Sequence, residues 1–295
     1  MRVLVTGADG FVGPHLGRLL SELGHAVILC GGPDARERRL DVRDAAATAA
    51  LLRDTQPEAV VHLAGSSSVG ASFDRPLECF AVNALGTANL FEAVRTGAPR
   101  ARVLLVSSGE VYGRGEGVRS RAEGDAVAPA SPYAMSKCTA ELIAQQYHTA
   151  FGLHAVVARP FNHVGPGQDE RFVVPSLLKQ IRDVAAQRRE PILHVGNLDP
   201  IRDFSSVHDV VQAYALLLES AQPGDVYNVC SGRGRSIRDV LEELLRRSGV
   251  EAEIRIDPAR VRPVEIPHLV GDPAKLIRLG WQPRHDPFAS LLSDH

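Results

Sequence analysis

Short apolar runs alternate with helical patterns along the first 162 residues. The runs are rich in Val, Leu and Ala and end at glycine or polar turns, as buried strands of a parallel sheet do. They cover residues 2–6, 26–30, 59–65, 102–108 and 153–162. Helical patterns fall between them, at 14–24, 45–54, about 74–96 and 131–151. This alternation predicts an α/β fold with a Rossmann-type, doubly wound parallel sheet that has helices on both faces.

The pattern changes after residue 162, and we expect a smaller α/β substrate-binding lobe there. A Gly/Pro turn at 163–168 precedes a helical segment at about 171–188, and short strands follow at 191–195, 225–229 and 252–256. The apolar helix predicted at 203–220 suits packing on the first lobe. The predicted dinucleotide-binding domain is therefore 1–162 plus about 203–221, and the predicted substrate lobe is about 163–202 and 222–295.

Composition narrows the classes of function. The chain has 295 residues, 23% of them charged, and a net charge of −2, without a long apolar run. We therefore expect no membrane span and no nucleic-acid partner. The four cysteines, at 30, 79, 138 and 230, have neither paired nor metal-ligand spacing, so we expect reduced thiols and no metal. Met1 and Arg2 lead directly into the run VLV, which favours a cytoplasmic protein without a leader.

A glycine-rich turn follows the first predicted strand. Gly7, Gly10 and Gly13 have the spacing GxxGxxG within a strand, turn and helix. Glycine at these positions lets the backbone approach a pyrophosphate, which the positive end of the helix then stabilises. The segment therefore predicts a dinucleotide site, the alternative being a tight turn without a ligand.

The end of the second strand bears on the choice of cofactor. NAD enzymes commonly have an acid there for the adenosine ribose, whereas this chain has Cys30 followed by GGP. Arg36, Arg38 and Arg39 come next and could bind a 2′-phosphate. This favours NADP(H), with NAD(H) possible. The alternative is that these arginines belong to a solvated loop.

The segment SPYAMSKCTAE at 131–141 places Tyr133 four residues before Lys137 in a helical context. One face of a helix would then carry both side chains, so that the ammonium could lower the pKa of the phenol. Only three of the 33 basic residues are lysines, which makes the spacing more notable. Ser107 and Ser108 end the fourth strand, where a hydroxyl could bind a substrate oxygen. The alternatives are a surface Tyr/Lys pair and an ordinary strand-end serine.

Seven segments together resemble the extended short-chain dehydrogenase/reductase superfamily over nearly the whole chain. They are GADGFVG (7–13), SSGEVYG (107–113), SPYAMSK (131–137), RPFNHVGPGQ (159–168), VGNLDPIRDF (195–204), DVYNVCSG (225–232) and RPVEIPHLVGDPAKL (262–276). The combination is most similar to the GDP-4-keto-6-deoxy-D-mannose reductases that form GDP-D-rhamnose. The GDP-mannose 4,6-dehydratases are close relatives.

The resemblance implies roles for individual residues. Ser108, Tyr133 and Lys137 would form the catalytic triad, and Glu110 stands where dehydratases have an additional catalytic acid. The implied cofactor contacts are Gly7, Gly10, Phe11, Val12, Gly13, Arg36, Asp41, Val42, Leu63, Ala64, Tyr133 and Lys137. The implied substrate contacts are Ser108, Asn162, Val174, Lys179, Arg202, Arg262 and Glu265. The two arginines among them would bind the diphosphate.

The resemblance implies reduction of the C4 ketone of a GDP-linked 4-keto-6-deoxy sugar by NAD(P)H. It also implies a homodimer formed through the helices near 74–96 and 131–151. The alternatives are a GDP-mannose 4,6-dehydratase and a nucleotide-sugar 4-epimerase, both of which regenerate their cofactor. A further alternative is a noncatalytic dinucleotide-sensing protein on the same fold, since a fold does not determine a function.

Overall fold

The structure is a computed structural model that describes residues 1–35, 38–115, 117–260 and 264–291. Within these ranges the strands are β1 Arg2–Thr6, β2 Ala26–Cys30, β3 Ala59–His62, β4 Arg102–Val106, β5 His154–Pro160, β6 Asn162–Val164, β7 Ile192–Val195, β8 Ile201–Ser206, β9 Val226–Val229, β10 Gly234–Ser236, β11 Glu253–Ile256 and β12 His268–Leu269.

The α-helices of the same ranges are α1 Val12–Glu22, α2 Ala45–Thr55, α3 Val69–Asp74, α4 Pro76–Phe80, α5 Gly86–Gly97, α6 Pro132–Phe151, α7 Val173–Ala185, α8 Val207–Ser220, α9 Ile237–Ser248 and α10 Ala274–Arg278. A π-helical turn, Ala81–Leu85, joins α4 to α5, and 3-10 turns lie at Gly109–Tyr112, Pro258–Arg260 and Ala289–Leu291. Of the helices described, none has the combination of length and apolar character that crossing a membrane requires.

The larger lobe is built on a six-stranded parallel sheet in the order β2-β1-β3-β4-β5-β9. One apolar core joins α1 and α8 to one face of the sheet, and a second joins α2, α5 and α6 to the other face. This confirms the predicted Rossmann-type, doubly wound sheet. Chain order reverses between β1 and β3, and in open sheets of this kind ligands bind in the crevice beyond the carboxyl ends of the strands.

The smaller lobe has its own sheets and its own core. Strands β10, β8 and β12 form one sheet, β6 pairs with β8 in parallel, and β11 pairs with β7. Helices α7 and α9 cover an apolar core that includes Leu177, Ile181, Leu241 and Leu244. Because β6 follows β5 after a single residue, this lobe begins at the carboxyl end of the large sheet.

A buried carboxylate fastens the smaller lobe to the loops that follow β9 and β12. Asp203 on β8 is fully buried. One of its oxygens accepts hydrogen bonds from the Ser231 backbone N (2.8 Å) and Oγ (2.6 Å). The other accepts from Gly232 N (2.9 Å) and Gly271 N (3.3 Å). Four donors from two separate loops therefore converge on one side chain.

The structure differs from the predicted domain boundaries in two places. Strand β9 falls in the segment predicted for the substrate lobe, yet its parallel ladder with β5 makes it the last strand of the large sheet. The segment 203–220 is not one helix, because residues up to Ser206 belong to β8 and α8 begins at Val207. Helix α8 does pack on the first lobe, as expected.

Candidate active site

Helix α6 carries the predicted catalytic pair at its amino-terminal end. The Ser131 side chain caps the helix by accepting a hydrogen bond from Ala134 N (3.1 Å), and Pro132 occupies the first helical position. Tyr133 therefore lies in the first turn and Lys137 one turn later. Each is only 7% exposed. This burial excludes the alternative of a surface Tyr/Lys pair.

Both side chains meet the carboxyl end of β4. The Tyr133 hydroxyl is hydrogen-bonded to the Ser108 side chain. Lys137 Nζ donates to the Val106 carbonyl oxygen, at 2.9 Å. The Ser108 oxygen also accepts from Glu110 N (3.2 Å), which fixes the start of the 3-10 turn. The structure thus brings the three residues of the predicted triad together.

The protonation of Tyr133 differs from the sequence argument. Burial raises the pKa of Tyr133 to about 12, the Glu110 carboxylate adds to this shift, and the Ser108 hydrogen bond opposes it. Burial also lowers the pKa of Lys137 to about 8. The expectation that Lys137 lowers the pKa of the phenol is therefore wrong for the protein without ligands, because desolvation dominates. At neutral pH the phenol keeps its proton and can donate it.

Glu110 lies near this phenol, as its electrostatic effect on the pKa of Tyr133 shows. It belongs to the 3-10 turn Gly109–Tyr112, directly after Ser108. A second acid is thus available beside the tyrosine, which is the arrangement that an elimination reaction would use.

The glycine turn has the geometry that a dinucleotide site requires. Gly7 has a φ of 68°, and a Cβ there would lie 2.6 Å from the Ala64 Cα. A Cβ at Gly13 would lie 2.1 Å from the Ala8 carbonyl oxygen. Helix α1 has neither a capping side chain nor an acid in its first turn, so its positive end remains suited to an anion. Phe11 and Val12 lie half-buried at this helix start.

Other predicted cofactor residues lie around the same edge of the sheet. Asp41 is held by Arg43, with 2.6 Å between Nη2 and Oδ2, and this hydrogen bond lowers the pKa of the carboxyl. Val42 is buried, whereas Leu63 and Ala64 are half-buried at the end of β3. Arg36 lies outside the described residues.

Sequence reasoning gave no role to Asn83, which the structure places at the centre of the site. Its Oδ1 accepts from Ser66 N (2.7 Å), and its Nδ2 donates to the Ser66 carbonyl (3.0 Å) and to Ser136 Oγ (2.9 Å). Ser136 Oγ in turn donates to the Tyr133 carbonyl (2.7 Å). Asn83 therefore ties the loop after β3 to the catalytic helix. It sits in the π-helical turn, an irregularity frequent at functional sites.

Three of the predicted substrate residues lie on or beside β6 and β8 of the smaller lobe. Asn162 begins β6, and the adjacent His163 stacks on Phe11 of the glycine turn with ring centroids 5.8 Å apart. Arg202 on the neighbouring β8 is buried, with Nη1 donating to Ile266 O (2.7 Å) and Nη2 lying 3.4 Å from Glu265 Oε1. Arg202 and Glu265 are thus in contact. Arg262 lies outside the described residues.

Two predicted substrate contacts on α7 have other surroundings. Val174 is 1% exposed, and its side chain packs in the core of the smaller lobe. Its contact with substrate stays a prediction. A helical periodicity with several adjacent apolar residues does not tell which of them faces a ligand. Lys179 is exposed on the same helix, and its Nζ lies 2.5 Å from Glu170 Oε2. This contact with an exposed carboxylate does not place Lys179 in the crevice, and its substrate role stays a prediction.

Comparisons with known proteins identify the family of the chain. Residues 4–294 match the family model described as GDP-mannose 4,6 dehydratase. The GDP-6-deoxy-D-mannose reductase of Pseudomonas aeruginosa is 39% identical over 284 residues, which cover 96% of this chain and 92% of that protein.

Solved structures resemble the fold over nearly its whole length. One is described as RMD from Pseudomonas aeruginosa complexed with NADPH; it has a TM-score of 0.87 and 37% identity, covering 98% of this chain and 96% of that one. The UDP-glucose 4-epimerase of Thermus thermophilus, solved with NAD, has a TM-score of 0.89 and 30% identity, covering 100% of both chains. The chain belongs to the GDP-mannose 4,6-dehydratase family of extended short-chain dehydrogenases/reductases.

Proposed function

We propose that the protein reduces the C4 ketone of GDP-4-keto-6-deoxy-D-mannose to the alcohol of GDP-D-rhamnose, with NADPH favoured and NADH accepted. The observation that carries the proposal is the buried Tyr133 phenol, protonated at neutral pH and hydrogen-bonded to Ser108 beside Lys137. The similarity to a GDP-6-deoxy-D-mannose reductase over 96% of the chain supports this choice of reaction within the family.

Tyr133, Ser108 and Lys137 have different roles in the proposed reduction. Bound NADPH would supply the hydride that reaches C4. Tyr133 donates its proton to the C4 oxygen, so that the ketone gains one hydride and one proton and becomes an alcohol. The Ser108 hydroxyl hydrogen-bonds that oxygen as negative charge develops on it. The Lys137 ammonium stabilises the phenolate that is left, and it is positioned for a nicotinamide ribose.

The cofactor would lie over the glycine turn. The amino-terminal end of α1, with Gly7, Gly10, Phe11, Val12 and Gly13, suits its pyrophosphate. The NADPH preference is supported by the absence of an acid directly after β2 and by Arg38 and Arg39 in the following loop. It is also supported by the relative that was solved with NADPH, whereas the epimerase solved with NAD keeps NADH open.

The GDP sugar would lie between the lobes. Asn162 and Arg202 lie on the adjacent strands β6 and β8, and the planar guanidinium of Arg202 suits two phosphate oxygens. Glu265, in contact with Arg202, would lie near the nucleotide. Lys179 and Arg262 complete the proposed substrate contacts.

Glu110 favours one second candidate, a GDP-mannose 4,6-dehydratase. That reaction needs a base for C5 as well as the tyrosine, and Glu110 stands next to Tyr133. A 4-epimerase and a dinucleotide sensor find no such specific support in the described residues, and a sensor has no use for a buried Ser108, Tyr133 and Lys137 together.

One experiment separates these functions. Purified protein receives GDP-4-keto-6-deoxy-D-mannose made in situ, together with NADPH or NADH, and the product sugar is identified by NMR. Stoichiometric NADPH oxidation with formation of GDP-D-rhamnose is the expected result. Conversion of GDP-mannose to a keto sugar without net cofactor use would instead establish the dehydratase, and an inverted C4 centre without net oxidation would establish an epimerase. Binding of the cofactor without turnover of either GDP-mannose or the keto sugar would refute the proposal that the protein is an enzyme of this kind.

We also propose that the protein is a homodimer in the cytoplasm. Leu77 on α4, Leu85 in the π turn, and Met135 and Leu142 on α6 are exposed apolar side chains on helices that pack side by side. Met135 and Leu142 are seven residues apart and so share one face of α6. In the proposed dimer, the same face of a second copy of the chain covers these apolar side chains through a two-fold axis.

A further inference from the structure

Helix α6 has a buried carboxylate, Glu141, on the face that bears Tyr133 and Lys137. Glu141 follows Lys137 by four residues, as Lys137 follows Tyr133. Each of the three contacts the end of β4. Tyr133 meets Ser108, Lys137 meets the Val106 carbonyl, and Glu141 accepts a hydrogen bond from the Ser107 hydroxyl. Three consecutive residues of one strand end thus hold three successive turns of the helix.

Glu141 is itself held by a buried arginine. Arg159 on β5 donates from Nη2 to Glu141 Oε2 (2.7 Å) and from Nε to Oε1 (3.0 Å). Both residues are almost fully buried, at 6% and 8% exposure. Arg159 Nη1 also donates to Tyr112 Oη (2.9 Å), whose hydroxyl donates to Asn228 Oδ1 on β9 (2.7 Å). The carboxylate is therefore anchored to the neighbouring strands, and it cannot turn without breaking several bonds.

Such a pair is poorly explained by stability alone. Two charges taken out of water lose hydration that their mutual attraction only partly restores, and an apolar pair of similar volume is often as stable. What the pair provides here is a carboxylate held in one orientation, which is a fixed acceptor one helical turn beyond Lys137 and against the residue that precedes Ser108.

We infer that Glu141, held by Arg159, is a positioning residue that sets α6 against the end of β4 and keeps the Lys137 ammonium charged during the proton transfer from Tyr133. The inference rests on the proposed function for the proton transfer, on the hydrogen bonds of Glu141 with Ser107 and Arg159 for the position of α6, and on the electrostatic effect of Glu141 for the charge of Lys137. Glu141 touches neither substrate nor cofactor in this scheme, because it acts through Ser107 and Lys137.

The charges around Lys137 determine the sign of the expected effect. Burial lowers the pKa of Lys137, while Cys79 on α4 and Glu141 raise it. His62 on β3 also faces Lys137, but burial lowers the pKa of His62 to about 3, so it is uncharged at neutral pH. Removing the Glu141 charge takes away a group that stabilises the ammonium. The pKa of Lys137 should therefore fall further. As pH rises, the variant should then lose activity at a lower pH than the wild type does.

The test compares Glu141→Gln with the wild type in two independent measurements. The first is the pH dependence of kcat/KM for reduction of the keto sugar, in which we expect the basic limb to move down by about one pH unit or more. We also expect kcat to fall at least about tenfold with an NADPH KM within about twofold, because positioning is lost and the nucleotide site is not touched. The second is competitive chemical labelling of Lys137 as a function of pH, read by mass spectrometry, which needs no substrate.

Controls separate positioning from mere folding. Ser107→Ala removes the contact and keeps the charge, so kcat should fall while the basic limb stays at the wild-type pH. Glu92→Gln, which breaks an exposed Glu92/Arg95 pair (2.6 Å) on α5, should change neither. If Glu141→Gln does not fold, the double variant Glu141→Gln with Arg159→Gln leaves no uncompensated charge. Its basic limb and its Lys137 labelling should move in the same direction but by less, because the Arg159 charge is removed as well.

Two results are decisive. A basic limb and a Lys137 labelling pKa that stay at their wild-type values in both Gln variants, with kcat within about twofold, would overturn the inference. A wild type that does not reduce the keto sugar would refute the proposed function instead, and the labelling experiment would still decide whether Glu141 sets the charge of Lys137.

Discussion

Replacing Tyr133 by Phe should separate folding from catalysis in this protein. The change removes one hydroxyl from a ring that is 7% exposed, and the bonded partner of that hydroxyl is Ser108. A single buried hydrogen bond contributes about 0.5–1.5 kcal/mol to stability, and Phe avoids the cost of burying a phenol. We therefore expect Tyr133→Phe to change the free energy of unfolding by no more than about 1 kcal/mol.

The Tyr133 hydroxyl should contribute far more to lowering the activation free energy than it does to the stability of the fold. Proton donation by a positioned side chain typically contributes about 10²–10⁴ in rate, which corresponds to about 3–5.5 kcal/mol. The alternative donor would be water, which a buried site largely excludes. We expect kcat to fall by this factor while the Kd for NADPH stays within about threefold, because Lys137 and the glycine turn keep their contacts.

The assay follows NADPH oxidation with the keto sugar, and it is combined with NADPH binding by fluorescence and with urea denaturation. Tyr147→Phe is a matched control on the same helix, since the Tyr147 hydroxyl donates to Glu92 at 3.2 Å, far along α6 from the site. It should cost a similar amount of stability and leave kcat unchanged. A Tyr133→Phe enzyme with a kcat within tenfold of the wild type would show that another group donates the proton.

Three further predictions concern charge, stability and assembly. Because burial lowers the pKa of Lys137 to about 8, its ammonium is present below that pH and lost above it, so kcat/KM for NADPH should be flat near neutrality and fall as pH rises through about 8. Asp203→Asn should lower the free energy of unfolding by about 3–6 kcal/mol in urea titrations, because an amide can accept for only one of the two donor pairs and each lost bond to a charge is worth about 1.5–3 kcal/mol. Leu142→Asp should convert the proposed homodimer to a monomer in sedimentation equilibrium, because a carboxylate would be buried unpaired in the proposed apolar contact.

Each of these has its own control and its own contrary result. A kcat/KM profile that stays flat above pH 9 would contradict loss of the Lys137 ammonium near pH 8 as the cause of a basic limb. Asp199→Asn, at an exposed surface pair with Arg238 (3.3 Å), should cost at most about 0.5 kcal/mol, and an equal cost at both positions would contradict the account of Asp203. Leu23→Asp, at a similarly exposed apolar residue by α1 on the other face of the sheet, should leave the dimer intact. A Leu142→Asp dimer would place the interface elsewhere.

Most of the large sheet could be predicted because most of its strands are buried on both faces, the edge strand β2 with its exposed Leu29 being the exception. Such strands appear in the sequence as unbroken apolar runs, and the five predicted runs coincide with β1 to β5. Strand β9 shows the limit of this reasoning. Its residues have the pattern of a strand, but so short a run carries no information about its neighbour, and only the ladder with β5 places it in the large sheet.

The catalytic residues could be predicted because their spacing is local, whereas the groups that support them are brought together by the fold. Tyr133 and Lys137 share a helix face by periodicity alone. The bond between Glu141 and Arg159 instead depends on how α6 lies across β5, and that of Asn83 with Ser66 depends on a π turn that no pattern of apolar residues announces. The burial of Val174 has a related reason, since adjacent apolar residues on α7 divide between core and surface only once the helix is packed.

The pKa of Tyr133 shows why spacing alone could not determine the direction of proton transfer. Spacing places an ammonium near a phenol and so suggests a lowered pKa, but burial acts on the same phenol with the opposite sign and is the larger effect in the protein without ligands. A tyrosine with a pKa of about 12 is a poor base and a competent proton donor at neutral pH. Donation to a ketone oxygen is the half-reaction that this state can begin without first losing a proton, and oxidation of an alcohol is not. Because Glu110 contributes to that raised pKa, the acid that would serve a dehydratase also keeps the phenol protonated for reduction.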